Sequence, residues 1–297
     1  MGIAYAKPSP KSSVSGTERL RRIIVGRLQD LLLLVLILII LTPILYMVIG
    51  SLKTRAEFTN SASPLLPTEW QFDNYPEMWD RINFGTFFAN SFIVCGITTV
   101  IATFFAALAG YALARFRFPG ADLYGLIVTG TQLIPGVLFF IPLYLMFVWI
   151  RRNLGLPLIG DNFGGIVLYV GFFTPISLWI LRGFFASLPP DLEEQAMVDG
   201  ATRFTAFLRI SLPLAGPGIV STAIYIFLTA WDELFFGYTI GLRTIPVGIR
   251  QFLGVATSQS RYELMSAAAV VSTLPVVIMF FVLQKRFVAG LTQGAVK

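Results

Sequence analysis

The sequence predicts an all-α, polytopic membrane protein with six membrane-spanning helices and one polar insert, and three observations support this. Of 297 residues, 56% are hydrophobic and only 13% are charged, where a soluble domain carries about 25% charged residues. Phenylalanine occupies 27 positions and the mean hydropathy is +0.75, which leaves too little polar surface to face water on all sides. The apolar residues gather in runs of about 20, the helical length that crosses about 30 Å of hydrocarbon. The composition also excludes several kinds of chemistry. Histidine is absent and Cys95 is the single cysteine. These counts remove His-dependent acid–base schemes, an intrachain disulfide and a zinc site. No G-x-x-x-x-G-K-[ST] run occurs, so the chain has no P-loop of its own. The net charge of +6 comes without a Lys/Arg cluster beside interleaved aromatics in a polar segment, so no nucleic-acid partner is expected. It reads instead as the basic excess of a membrane protein's cytoplasmic segments, beside membrane lipid.

Residues 1–30 form a polar N-terminal tail carrying Lys7, Lys11, Arg19, Arg21, Arg22 and Arg27. From Thr17 to Gln29 charges mix with Leu20, Ile23, Ile24, Val25 and Leu28, the pattern of a short amphipathic helix lying at the membrane surface. The membrane domain covers 31–283. Its first span, 31–50, is too long for a signal-peptide core, and no small-residue cleavage site follows at Ser51–Lys53–Thr54, which predicts a retained anchor. A polar stretch with Pro64, Pro67 and Pro76 leads to the second span, 90–114. There Ala102, Ala106, Gly110 and Ala114 place a small residue at every fourth position, a stripe that lets another helix backbone come close. The third span, 123–150, is interrupted by Pro135–Gly136 and Pro142 and ends at Arg151–Arg152. The fourth is 164–181, the fifth 216–240, and the sixth, 265–283, holds Pro275. Residues 284–297 form a cytoplasmic C-terminal tail.

Six spans put both ends on one side. With the N-terminus inside, 14 of the 22 Lys and Arg and seven of the 16 acids fall in cytoplasmic segments. The inner segments then carry +7 and the outer ones −1, so an N-in, C-in arrangement satisfies the positive-inside rule even though Arg151 and Arg152 oppose it.

The segment 187–213 is too polar to span yet does not read as a loop. Pro189–Pro190 stop the preceding helix, and Asp191, Glu193 and Glu194 favour the positive end of a new one. Gly200 ends that helix after about two turns. Thr202 caps a second short helix with Phe204, Phe207, Leu208 and Ser211 on one face, and Pro213 is expected to end it. Two short helices at a fixed angle form a rigid knob, able to receive force from a soluble partner.

From Glu194 the chain reads E-x-A-x-x-x-G-x9-I-x-L-P, through Ala196, Gly200, Ile210, Leu212 and Pro213. This resembles the E-A-A-x-x-x-G-x9-I-x-L-P coupling-loop motif of ABC importer permeases, with Gln195 in place of the first Ala. Asp199–Gly200–Ala201, the run Tyr111–Ala112–Leu113–Ala114–Arg115–Phe116–Arg117–Phe118–Pro119–Gly120, and the end Gly290–Leu291–Thr292–Gln293–Gly294–Ala295–Val296–Lys297 are similar to the maltose-type, carbohydrate-uptake branch of that family. The resemblance implies a type I ABC importer permease fold and a non-enzymatic transport subunit in the bacterial inner membrane, moving a sugar or oligosaccharide by alternating access. It implies a second, homologous permease, two ATPase subunits and an extracytoplasmic solute-binding protein. ATP and Mg would be bound by the ATPases, with no cofactor in this chain. Carried over by position, Glu194, Ala196, Asp199, Gly200, Ala201, Leu212 and Pro213 would couple to an ATPase groove.

For the substrate pathway, Trp231 and Asp232 lie in the predicted fifth span. Asp232 falls roughly 20 Å along that helix, where an ionisable group is costly and rarely faces lipid. Family members often have Trp-Asn here, so Asp232 departs in charge. Tyr225 and Phe235 share the span as aromatic candidates for sugar faces, against a plain packing role. The alternative for both Asp232 and Glu233 is a place near the outer interface or a pairing with the partner subunit, and Glu233 is read that way. Arg151, Arg152, Arg243, Arg250 and Arg261 in outer segments leave open an anionic or phosphorylated sugar. An ATP-independent channel or secondary transporter is the alternative of a different class, though it needs no docking knob. An intramembrane enzyme is disfavoured because no nucleophile–base pair is evident.

The orientation predicts that reporter fusions after Glu69 and Gly155 read outside, and fusions after Pro119 and Gly200 read inside. A reversal at any of the four positions would refute the assignment.

Overall fold

The computed structural model describes residues 16–60, 62–254 and 260–295, and the side chains of these apart from 16–23, 122 and 285–295. The described chain runs α1 (Gly16–Gly50), α2 (Arg55–Thr59), α3 (Asn74–Arg81), α4 (Phe84–Arg115), α5 (Ala121–Leu133), a 3-10 turn (Gly136–Phe139), α6 (Phe140–Leu154) and α7 (Asn162–Ser187). It continues through α8 (Asp191–Val198), α9 (Arg203–Ala206), a π-helical turn (Phe207–Ser211), α10 (Leu212–Leu214), α11 (Gly216–Trp231), α12 (Phe235–Thr239), α13 (Ile245–Gln251) and α14 (Tyr262–Ala295). No strand occurs among the described residues. Among the described residues five helices are long and apolar enough to cross a membrane, and six if the pair Arg203–Leu214 and Gly216–Trp231, bent by 72°, is one span.

The centre of the bundle is α4 laid along α7, with α11 on α4 and α14 closing against α11. The small-residue stripe explains why the first pair approaches so closely. Ala102 and Ala106 are fully buried. A Cβ on Gly110 would sit 2.9 Å from the Arg182 backbone nitrogen and 3.0 Å from the Leu178 carbonyl oxygen, closer than a side chain tolerates. One core cluster forms around Phe84, Val94, Tyr169, Ile226 and Leu264. A second, nearer the insert, forms around Ala106, Tyr111, Leu181, Phe185 and Phe207. On the side away from the insert, the stretch between α1 and α4 is not a plain loop. Thr54 and Glu57 form a capping box on α2, and Arg261 binds Glu77 at 2.8 Å, fastening α3 to the start of α14.

Several elements differ from the sequence expectation. The surface helix expected over Thr17–Gln29 is continuous with the first span as α1, because nothing between Gln29 and Leu31 breaks a helix. The third span breaks after Leu133, as Pro135–Gly136 require. Pro142 instead sits in the first turn of α6, where its missing N–H would have had no intrahelical partner anyway. The fifth span is shorter than 216–240. It stops at Trp231, and Phe235–Thr239 form a separate short helix. The sixth helix continues through most of the expected tail, to Ala295.

Gly110→Leu should force α4 away from α7 backbone and lower the stability of the purified protein, by about 1–3 kcal/mol as for other overpacked sites. Gly96→Leu on the same helix, where a Cβ meets nothing within 4 Å, should not. Equal thermal midpoints for the two variants would show that the α4–α7 contact does not require the glycine.

Candidate functional site

The insert begins where Pro189–Pro190 end α7 and its three acids open α8. α8 closes in a Schellman motif. The Ala201 N–H donates to the Ala196 carbonyl at 2.9 Å and the Gly200 N–H to the Met197 carbonyl at 3.1 Å. That geometry needs a left-handed residue after the helix, and Gly200 supplies it at φ +93°. The chain turns at once into α9, where the Thr202 hydroxyl accepts from the Thr205 N–H at 3.2 Å. The expected face of that second helix divides. Phe207 and Ser211 are buried, while Phe204 and Leu208 are exposed. Pro213 does not end the helix. The Leu212 N–H reaches back to the Phe207 carbonyl, a π-type bond that widens the turn, and Pro213 sits at the start of α10 without leaving a donor unmatched.

Glu193, not Glu194, ties this knob to the bundle. It is 9% exposed. Its Oε2 accepts from the Tyr111 hydroxyl at 2.8 Å, and its Oε1 from Arg115 Nε at 2.8 Å and the Ser211 hydroxyl at 2.6 Å. Arg115 donates onward to the Leu188 carbonyl at 3.0 Å. The end of α4, the α7–α8 junction, α8 and the π-turn therefore meet at one carboxylate. Burial works to raise the Glu193 pKa, but the hydrogen bonds from Ser211, Tyr111 and Arg115 outweigh it and hold the group below the usual carboxylate value. The residues on the outer surface are different ones. Glu194 and Asp199 are exposed, Val198 is 87% exposed and Phe204 is 66% exposed. Ala196 and Ala201 are half-buried beneath them, as is Leu212, and Pro213 is exposed.

The pathway candidates are only partly brought together. Trp231, Asp232 and Phe235 line a cavity of about 700 Å³ with Ser272 and Thr273, and Tyr225 is not among the residues lining it. Trp231 is a core residue, 6% exposed, whose Nε1 donates to the Ser272 carbonyl at 3.2 Å. Phe235 stacks on Phe140 with ring centroids 5.8 Å apart. Asp232 does not project from a continuous helix. It terminates α11, its N–H donating to the Leu228 carbonyl at 3.2 Å, and it is exposed. Glu233 has partners within the chain. It accepts from the Tyr169 hydroxyl at 2.8 Å, the Phe236 N–H at 2.8 Å and the Gly237 N–H at 2.9 Å, so it caps α12. Among the described residues no group of three or more His, Cys, Asp or Glu could hold a metal ion.

Residues 100–293 match the family described as binding-protein-dependent transport system inner membrane component. The chain belongs to that family. It is similar to the trehalose transport system permease protein of Mycobacterium tuberculosis, 36% identical over 86% of this chain and 92% of the relative. It is also similar to the diacetylchitobiose uptake system permease protein of Streptomyces coelicolor, at 32% over 89% and 86%. The trehalose/maltose transport system permease protein of Thermococcus litoralis matches at 34% over 88% and 92%. A solved bacterial ABC transporter involved in import of the acidic polysaccharide alginate contains a chain that superposes with a TM-score of 0.72. That chain is 25% identical, and the match covers 93% of this chain and 100% of that one. The fold is that of a type I ABC importer permease, a polytopic inner-membrane transport component rather than an enzyme.

In this permease, sequence reasoning found the outward-facing acid and missed the inward-facing one beside it. A signal was present: Tyr111 and Arg115 stand four residues apart at the end of an apolar span, so they share one helix face, and polar groups entering a packed face need an acceptor. Glu193→Ala should remove that acceptor and leave Arg115 unpaired, at a cost of about 3–5 kcal/mol as for other broken buried pairs. Glu194→Ala should stay within about 0.5 kcal/mol of wild type, as exposed substitutions do. Similar unfolding midpoints for the two variants would refute the assignment of Glu193 as the anchor.

Proposed function

We propose that this permease is one of two homologous membrane subunits of an ATP-driven importer for a neutral sugar or oligosaccharide, oriented N-in and C-in. The 187–213 knob would dock in a cytoplasmic ATPase. The observation that carries the reading is the knob itself: a Schellman turn at Gly200 presents Glu194, Val198, Asp199 and Phe204 to solvent, while Glu193 locks the same helix to α4. A surface so exposed and apolar at Val198 and Phe204 suits a protein partner. The rigid anchorage beneath it suits transmission of force. Two ATPase subunits would bind ATP and Mg, and a solute-binding protein would deliver the sugar on the opposite side. When ATP closes the ATPase pair, the knob would move as a unit and carry α4 with it, turning the bundle between inward- and outward-facing states.

Two observations favour a neutral substrate. Relatives are named for trehalose, maltose and diacetylchitobiose. Asp232 brings a carboxylate to the α11–α14 cavity, where no ion pair engages it among the described residues, and an anionic sugar would be repelled there. Two of the outer arginines are engaged within the chain. Arg261 is engaged by Glu77 and Glu263, and Arg250 lies 4.1 Å over the Tyr238 ring.

Reconstituted with its partners, Glu194→Ala should lower substrate-stimulated ATPase activity and uptake together by roughly tenfold, the scale of one charge-assisted hydrogen bond. Gly200→Arg, strained at positive φ, should do the same or release the ATPase outright. Both variants should still insert and pair with the second permease. In the same assays Asp232→Ala should impair uptake without loss of assembly. Normal stimulated ATPase activity and normal uptake in both knob variants would refute the coupling reading, and unchanged uptake in Asp232→Ala would remove that residue from the pathway.

A further inference from the structure

A second cavity, of about 1020 Å³, opens between the end of α4, the first turns of α5, and α7, with Pro190 of the insert at its edge. Apart from Arg115 and Pro190, which belong to the knob's anchor and its edge, its lining is separate from the pathway and the docking surface described above. Among the described residues its lining contains Arg115, Arg117 and Arg182 and no acidic residue. Arg115 is committed to Glu193. Arg117 is exposed, and no ion pair engages it or Arg182 among the described residues. The Arg182 guanidinium lies 4.5 Å over the Trp179 ring. The Trp179 indole N–H is buried and has no hydrogen-bond partner among the described residues. Buried donors are nearly always matched, so an acceptor from outside the chain is called for here.

The position of the cavity states what that acceptor belongs to. It lies where α7 leaves its apolar run and where α5 begins, at one edge of the membrane-spanning bundle. From the arginines it extends past Gly125 to Thr129, roughly 12 Å along α5 from Ala121. Leu123, Leu126 and Ile127 of α5 are exposed beside it. A free phosphate would use only the arginines. A lipid uses both halves, the headgroup against Arg117, Arg182 and the Trp179 N–H, and the acyl chains against the apolar face of α5. Basic pockets between helices at a membrane edge hold anionic headgroups in this way, and tryptophan suits the boundary between apolar and wet surroundings.

We infer that the α4–α5–α7 cavity is a binding site for an anionic phospholipid, with the lipid phosphate held by Arg117 and Arg182 and by the Trp179 indole N–H. The site stands apart from the ATPase coupling proposed above, and its test measures lipid rather than transport. The assembled transporter, purified in mild detergent from membranes containing phosphatidylglycerol and phosphatidylethanolamine, is weighed with its retained lipids by native mass spectrometry. Wild type should retain phosphatidylglycerol over phosphatidylethanolamine. Arg117→Gln/Arg182→Gln should lower that retention roughly tenfold, given the contribution of each basic residue near anionic lipid. Trp179→Phe, which keeps the ring and removes only the donor, should lower it severalfold and covers the case in which the double variant does not assemble. Arg151→Gln/Arg152→Gln, away from the cavity, should retain phosphatidylglycerol as wild type does. Equal retention in wild type and in Trp179→Phe, or no preference in wild type, would overturn the assignment. So would displacement of the lipid by millimolar inorganic phosphate, which would mark a site for a free anion.

Discussion

The Glu193 carboxylate holds together the part of this protein that sets it apart from an ordinary helical bundle. Four short elements, α8, α9, the π-turn and α10, make up the insert, and none is long enough to be stable alone, since isolated helices of under about 12 residues are marginal in water. Their order comes from being tied to long helices. Glu193 accepts one bond each from α4's Tyr111 and Arg115 and one from Ser211 in the π-turn. The knob therefore inherits the rigidity of α4, which is itself held against α7 by the close approach at Gly110. A push on the outer surface of α8 has a short route of hydrogen bonds and packed helix to the membrane core.

Away from the insert, the governing constraint is that backbone groups near hydrocarbon must be satisfied within the protein. Breaks in the helices are correspondingly furnished. After Trp231 the chain leaves helical form, and Glu233 accepts the first free N–H groups of α12 while the Tyr169 hydroxyl donates to the same carboxylate. The same economy holds within the insert, where at Pro213 the widened π-turn relocates one hydrogen bond rather than losing it. A break so treated costs little, and it leaves Asp232 at the end of α11 beside the cavity.

The two cavities differ in chemistry in a way that fits their surroundings. The one between α11 and α14 carries a carboxylate, two hydroxyl side chains and aromatic edges, groups that match a polyhydroxylated ring. The one between α5 and α7 carries guanidinium groups and an unmatched indole donor beside exposed aliphatic residues. The first resembles a passage and the second a seat at the membrane edge.

By itself, the sequence determined the all-helical membrane fold, the break at Pro135–Gly136, the small-residue face of α4, and the two-helix knob with its turn at Gly200. These depend on local signals: run length, proline, helix caps, a positive-φ glycine and the spacing of the coupling motif. The tertiary structure alone decided which of two adjacent glutamates faces inward, that the fifth span stops at Trp231, that Glu233 is a helix cap, and that Pro213 is absorbed by a π-turn. The inward turn of Glu193 rests on Tyr111 and Arg115, far away in sequence, and so does the bond of Glu233 to Tyr169. Glu193 and Glu194 are chemically identical, and only the packing of α4 beneath one of them makes it an anchor and leaves the other at the surface.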